Sequence, residues 1–104
     1  MAFHITHRYG SMDGPHSVAA FPALLRELDD RPDDTEHGCV SVTHESEWCI
    51  SVSRGGYVTF EHLEDGGERH MRNVSEDKIL QLWTLLSEGD IATIIQEPWM
   101  PGYQ

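Results

Sequence analysis

Large apolar residues alternate with small or polar residues through the middle of the chain. The alternation occurs in three short runs, Val40–Val42, Trp48–Val52 and Val58–Phe60, with the large apolar residues on even numbers. A period of two is typical of strands that bury one face. The runs therefore predict an antiparallel meander whose even-numbered side chains face the core.

Two polar segments separate these runs, and both are short enough for hairpin loops. They are His44–Ser46 and Arg54–Gly56, and three-residue loops commonly join antiparallel strands. The pairs expected from such loops are Val42 with Trp48, Val40 with Ile50, Val52 with Val58, and Ile50 with Phe60. This register puts every large apolar side chain on one side of the sheet, and a slip of one residue would expose them all.

The two cysteines of the chain, Cys39 and Cys49, fall on odd positions of neighbouring strands. The same register sets Cys39 opposite Ser51 and Cys49 opposite Ser41. Their Cα atoms would then be diagonal neighbours, about 7 Å or more apart, which exceeds comfortable disulfide geometry. We therefore expect two free thiols.

Helical spacing appears on both sides of the meander. Before it, apolar residues recur at i, i+3, i+4 and i+7 in the set Val18, Phe21, Leu24, Leu25 and Leu28. Pro22 requires either a helix that starts near Ala20, with proline in its first turn, or a short turn followed by a break. After the meander, Ser75 is a capping residue and Gly89 a helix terminator. The apolar stripe between them is Ile79, Leu80, Leu82, Trp83, Leu85 and Leu86.

The remaining segments are less regular. Residues 2–9 suit an edge strand, and Arg69–Asn73 suits a weak fourth strand after a turn centred on Asp65-Gly66 or on Gly66-Gly67. Near the end, Asp90 favours a short helix with Ile91, Ile94 and Ile95 facing inward, although Ile91–Ile95 also suits a strand. The aromatic tail Pro98–Tyr103 is expected to dock. The pattern predicts one α+β domain over residues 1–104, with an antiparallel meander of three to five strands and two or three helices packed on one face.

The net charge of the chain restricts its possible partners more than the rest of its composition does. The 104 residues include 18 acidic and 7 basic side chains, for a formal net charge of −11. Nucleic acid is an unfavourable ligand for such a surface, whereas a basic protein is its natural complement. Simple solubility would also explain the acidity. The sequence contains no leader-like segment and no run of membrane-spanning length, so we expect a cytoplasmic protein without a membrane partner.

Motifs for catalysis or metal binding are weak. His62 and His70 would meet across a hairpin with a three-residue loop, where Glu61, Glu64 or Glu68 would add a carboxylate, but the spacing matches no established metal motif. Both cysteines fall in strands among serines, away from the helix N-termini or cations that activate thiols. We expect a protein without catalytic residues or a cofactor, and keep a small metal-dependent enzyme as a lesser alternative.

The acidic residues concentrate in loops and turns beside a polar odd-numbered sheet face. Such a face, rimmed by carboxylates, suits hydrogen bonds at the centre of an interface and ion pairs around its edge. The candidate partner-binding residues are Asp33, Asp34, Glu36, Glu45, Glu47, Tyr57, Glu61, Glu64 and Asp65.

A family resemblance adds a partner to this picture. The order of strand, helix, meander and helix, with the segments Leu82-Trp83, Gly89-Asp90, Pro98-Trp99 and Gly102-Tyr103, resembles small bacterial immunity proteins of polymorphic and contact-dependent toxin systems. Glu47-Trp48 and Gly56-Tyr57-Val58 in the meander are similar to the first-numbered immunity family of that group. The resemblance covers roughly residues 17–103. It implies an inhibitor that binds the catalytic domain of a toxin in the cytoplasm, and many such toxins act on nucleic acid through basic clefts.

The sequence therefore predicts a non-catalytic inhibitor of a basic toxin domain, present as a monomer or a weak homodimer. A homo-oligomeric structural or adaptor module is the alternative, with Trp99 and Tyr103 as its contact.

Overall fold

The computed structural model describes residues 3–7, 12–13, 18–29, 39–53 and 55–101. Its strands are β1 Phe3–Thr6, β2 Met12–Asp13, β3 Cys39–His44, β4 Trp48–Ser53, β5 Tyr57–His62, β6 Gly66–Met71 and β7 Met100–Pro101. Its helices are α1 Phe21–Arg26, α2 Glu76–Ser87 and α3 Ile91–Ile95, and short 3-10 turns flank α1 at Val18–Ala20 and Glu27–Asp29.

The strands form one antiparallel sheet in the order β2-β1-β3-β4-β5-β6-β7. The α+β class and the antiparallel meander are confirmed. The strand count exceeds the expected three to five because two-residue strands, β2 and β7, extend the sheet at its two edges. β1 is consequently paired on both sides rather than lying at an edge.

The register of the meander is confirmed in one hairpin and wrong in the other. Between β4 and β5, Val52 lies opposite Val58 and Ile50 opposite Phe60, as expected. Between β3 and β4, however, Val42 lies opposite Ile50 and Val40 opposite Val52. The three-residue loop is Glu45–Glu47, one residue later than predicted, so the pairing shifts by two.

Glu47 explains this shift. It adopts a φ of 75°, a conformation that usually falls to glycine at the third position of such a loop. A shift of two residues preserves the alternation of side chains. The prediction of which side chains lie on each face of the sheet is therefore correct, although the predicted pairing of β3 with β4 is wrong. Cys39 and Cys49 lie opposite Ser53 and Thr43 instead of Ser51 and Ser41, and both are free thiols.

The sequence offers two glycine-containing centres for the turn between β5 and β6, Asp65-Gly66 and Gly66-Gly67, and neither is correct. The turn residues are Leu63–Asp65, and His62 pairs with Gly66. The pairing shifts between Phe60 and His62, after which Arg69 lies opposite Phe60 and His70 opposite Thr59.

The even-numbered face carries the core. Its central residues are at most 1% exposed: Val40, Val42, Ile50, Val52, Val58 and Phe60. α1 begins at Phe21 with Pro22 in its first turn and follows a short 3-10 turn, which combines the two arrangements expected around the proline. Phe21 packs against both Phe3 and Trp83, with ring centroids 5.6 Å apart in each pair.

α2 is positioned by its cap and by one buried hydrogen bond. The Ser75 hydroxyl accepts from the backbone N–H of Lys78 at 3.2 Å, which satisfies an N-terminal donor of the helix. The fully buried Trp83 donates its indole N–H to the carbonyl of Ile50 at 3.1 Å. This bond fixes α2 over β4.

The last described segment, up to Pro101, folds back onto the sheet. Asp90 caps α3 by accepting from the N–H of Thr93, which confirms the short helix over the strand alternative. Ile94 is buried but Ile95 is 45% exposed, so the expectation that both face inward is wrong for Ile95. Trp99 stacks on Phe60 with centroids 5.2 Å apart, which confirms docking for this part of the tail. Tyr103 lies outside the described residues. Among the described residues, no helix has the length and apolarity needed to span a membrane.

Candidate protein-binding surface

The β3–β4 turn presents two of the predicted binding residues. Its backbone closes through the N–H of Glu47, which donates to the carbonyl of His44 at 2.9 Å. The N–H of Ser46 donates to Nδ1 of the His44 ring at 3.1 Å. Because these bonds fix the turn from inside, the side chains of Glu45 and Glu47 are left exposed.

The β5–β6 turn also contains a hydrogen bond from a backbone N–H to a histidine ring. The N–H of Asp65 donates to Nδ1 of His62 at 3.1 Å, and Glu64 and Asp65 are exposed. A hydrogen bond from the N–H of Leu63 to the carbonyl of Glu47, 2.8 Å long, joins this turn to the β3–β4 turn. In both turns, the histidine that ends a strand accepts a backbone hydrogen bond through its ring, a role that the sequence analysis missed.

These contacts bring four exposed carboxylates to one end of the sheet. We call Glu45, Glu47, Glu64 and Asp65 the acidic turns. Glu61 lies nearby on β5 but is half-buried, opposite the buried Cys49. Asp33, Asp34 and Glu36 lie outside the described residues.

Tyr57 does not join this group. It begins β5 at the other end of the strand, four residues before Glu61, which is about 13 Å at the usual rise of a strand. Its ring stacks on His70 with centroids 5.5 Å apart, and its hydroxyl is buried without a hydrogen-bond partner among the described residues.

The odd-numbered face is less open than the sequence suggested. Thr43, Cys49 and Thr59 are only 5–8% exposed, and His70 is fully buried. Thr43 donates its hydroxyl to the Cys49 sulfur at 3.4 Å. The centre of this face is therefore packed.

The even-numbered face carries an aromatic cluster near that end. Trp48, Phe60 and Trp99 stack in series, with centroid distances of 4.6 and 5.2 Å. The Arg69 guanidinium lies 5.8 Å from the Trp48 centroid and 5.6 Å from that of Phe60, within the range of cation–π attraction. The sequence alternation placed Trp48 and Phe60 on this face, but the position of Arg69 depended on the unresolved register of β6.

The histidine pair considered for a metal site is not brought together. His62 lies edge-on to Trp48 on the even-numbered face, whereas His70 pairs with Thr59 and stacks on Tyr57. The described residues contain no group of three or more His, Cys, Asp or Glu side chains arranged for a metal ion.

The fold and surface define an α+β protein with helices on one face of an antiparallel sheet and acidic turns at one end. Comparison with protein-family models, curated proteins and solved structures found no match to this chain.

Proposed function

We propose that this protein is a non-catalytic immunity protein that binds a basic toxin domain in the cytoplasm and occludes its active site or substrate surface. The observation that carries the proposal is the convergence of four exposed carboxylates at one end of the sheet, in a chain with a formal net charge of −11. If the toxin acts on nucleic acid, these carboxylates stand where substrate phosphates would otherwise bind.

The acidic turns are better suited to speeding the association of a basic partner than to holding it tightly. Exposed ion pairs typically contribute about 0.2–1 kcal/mol each, and salt screens them. Complementary net charge chiefly raises the association rate and orients the partners. The acidic turns would therefore bring a basic domain to this end of the sheet, while affinity requires additional contacts that exclude water.

The test uses the toxin domain encoded by the adjacent reading frame. We expect the purified proteins to form a complex at micromolar concentration and ordinary salt, and the toxin to lose activity as the complex forms. The absence of a complex under these conditions would refute the proposal.

A matched pair of variants tests the role of the turns. Glu45→Gln/Glu47→Gln removes two charges from the acidic turns, whereas Glu76→Gln/Glu88→Gln removes two exposed charges from the ends of α2. We expect only the first variant to slow association markedly and to flatten its dependence on salt. Equal effects would show that net charge, rather than its location, controls binding.

A further inference from the structure

Two of the large exposed hydrophobic side chains lie next to each other on the surface. Ile95 is 45% exposed and Met100 is 55% exposed. Together with Trp99 and Arg69, they line an open depression of about 430 Å³ between β6, β7 and the end of α3. Scattered apolar side chains are ordinary on a protein surface, but apolar side chains that share a concave site are suited to receiving a group from another molecule.

The wall of the depression is held in place before any partner arrives. The Trp99 indole N–H donates to the carbonyl of Ile94 at 2.8 Å, and its ring stacks on the buried Phe60. Arg69 donates from Nε to the carbonyl of Gly67 at 3.1 Å. Tryptophan, arginine and methionine are enriched at protein interfaces, and preorganised side chains lose little entropy on binding.

The depression adjoins the acidic turns. Arg69, which lines it, lies over Trp48, and Trp48 directly follows Glu47. The hydrogen bond from Leu63 to Glu47 connects the second acidic turn to the same place. A partner that contacts the acidic turns can therefore reach the depression as well.

The charge of this region selects its occupant. Glu68, Glu97 and Arg69 line the depression, and Glu97 is paired with Lys78 at 2.8 Å. The lining itself is therefore close to neutral, and the negative charge of this region comes from the four carboxylates of the acidic turns. A second copy of this chain would bring two such groups of like charge together, which costs free energy at distances within about one Debye length, about 8 Å at physiological salt. A basic surface meets the same carboxylates favourably.

We infer that the depression formed by Arg69, Ile95, Trp99 and Met100 receives an apolar side chain that projects from the basic surface of the partner. The inference rests on the proposed function and adds to it the contact that supplies affinity. The acidic turns orient the basic domain, and the depression removes one of its apolar side chains from water.

The experiment compares binding of the adjacent-frame toxin domain to the wild-type chain and to variants. We expect Ile95→Ser/Met100→Ser to raise the dissociation constant at least about tenfold, the usual scale for truncating central anchors, mainly by faster dissociation. Met100→Leu, which keeps an apolar side chain, should bind within about twofold of wild type. Ala23→Ser/Gln81→Ser is the control, because both positions are exposed on α1 and α2 and neither lines the depression.

A measurement on the wild-type chain removes any dependence on variant folding. The methyl resonance of Met100 should shift when the toxin domain is added. If wild type binds but the double variant binds equally well and this resonance is unmoved, the inference is wrong while the proposed function stands. If wild type does not bind, both fail. If wild type is a dimer that Ile95→Ser/Met100→Ser dissociates, the occupant is a second copy and the inference is overturned.

Discussion

Gly55 and Gly56 offer a matched test of how the sheet holds α2. Both adopt positive φ, 89° and 80°. A Cβ added at Gly55 would meet no atom of the described residues within 4 Å, whereas one at Gly56 would lie 2.6 Å from the carbonyl oxygen of Val74 and 2.8 Å from its nitrogen. The N–H of Val74 also donates to the carbonyl of Gly56 at 3.0 Å. This contact ties the β4–β5 turn to the chain just before α2.

The two alanine substitutions should therefore differ sharply. Gly55→Ala should lower the free energy of unfolding by about 1–2 kcal/mol, because alanine is strained in the left-handed conformation. About 0.4–1 kcal/mol of this loss is offset because the unfolded chain becomes less flexible. Gly56→Ala should lose the same amount plus a further loss of about 1–3 kcal/mol from the clash with Val74. Strain in the hydrogen bond between Val74 and Gly56 should remove about 0.5–1.5 kcal/mol more. The expected difference between the variants is about 1.5–4.5 kcal/mol, or at least about 6 °C in Tm for a domain of this size.

Urea and thermal unfolding, followed by circular dichroism, measure this difference. The midpoint in urea should fall far more for Gly56→Ala than for Gly55→Ala, with similar slopes. If the two variants lose equal stability, the contact between Gly56 and Val74 does not constrain the fold, and the reasoning is refuted.

Three further predictions follow from single contacts. Ser75→Ala should cost about 1 kcal/mol of stability because α2 loses its N-cap, and Ser75→Asp should restore most of it; no change in the urea midpoint would contradict the capping role. A thiol reagent should modify the exposed Cys39 readily and the 6%-exposed Cys49 only after unfolding, so two equally fast thiols would contradict the packed odd-numbered face. Glu47→Gly should raise Tm or leave it unchanged, because glycine accepts the φ of 75°, yet it should slow toxin association; a clear loss of stability would show that the Glu47 side chain supports the turn.

The sequence predicts the faces of this sheet better than its pairings. Alternation around Ile50 specifies which side chains are buried, because a one-residue slip would expose all of them. It does not distinguish pairings that differ by two residues. The conformation of the turn determines which of these pairings forms. In the β3–β4 turn, the left-handed position is occupied by Glu47, so no glycine identifies that position in the sequence.

The candidate surface shows the same limit. The sequence identifies carboxylates in turns, but their convergence depends on the hydrogen bond between Leu63 and Glu47, a contact between residues 16 positions apart. Arg69 could not be placed because the pairing shift between Phe60 and His62 sets its face. Long-range backbone contacts and irregular pairing leave little trace in local residue patterns.

Glu47 connects the fold to the proposed function. A non-glycine residue with positive φ costs roughly 1–2 kcal/mol, and such strain tends to occur at functional sites. The other non-glycine example among the described residues is Asn73, with φ 57°, and asparagine tolerates this conformation comparatively well. Glutamate does not tolerate this conformation as asparagine does. The hydrogen bond that closes the turn uses the backbone of Glu47 rather than its carboxylate. The geometry of the turn thus gives no reason for a carboxylate at this position, whereas the proposed capture of a basic partner would give one.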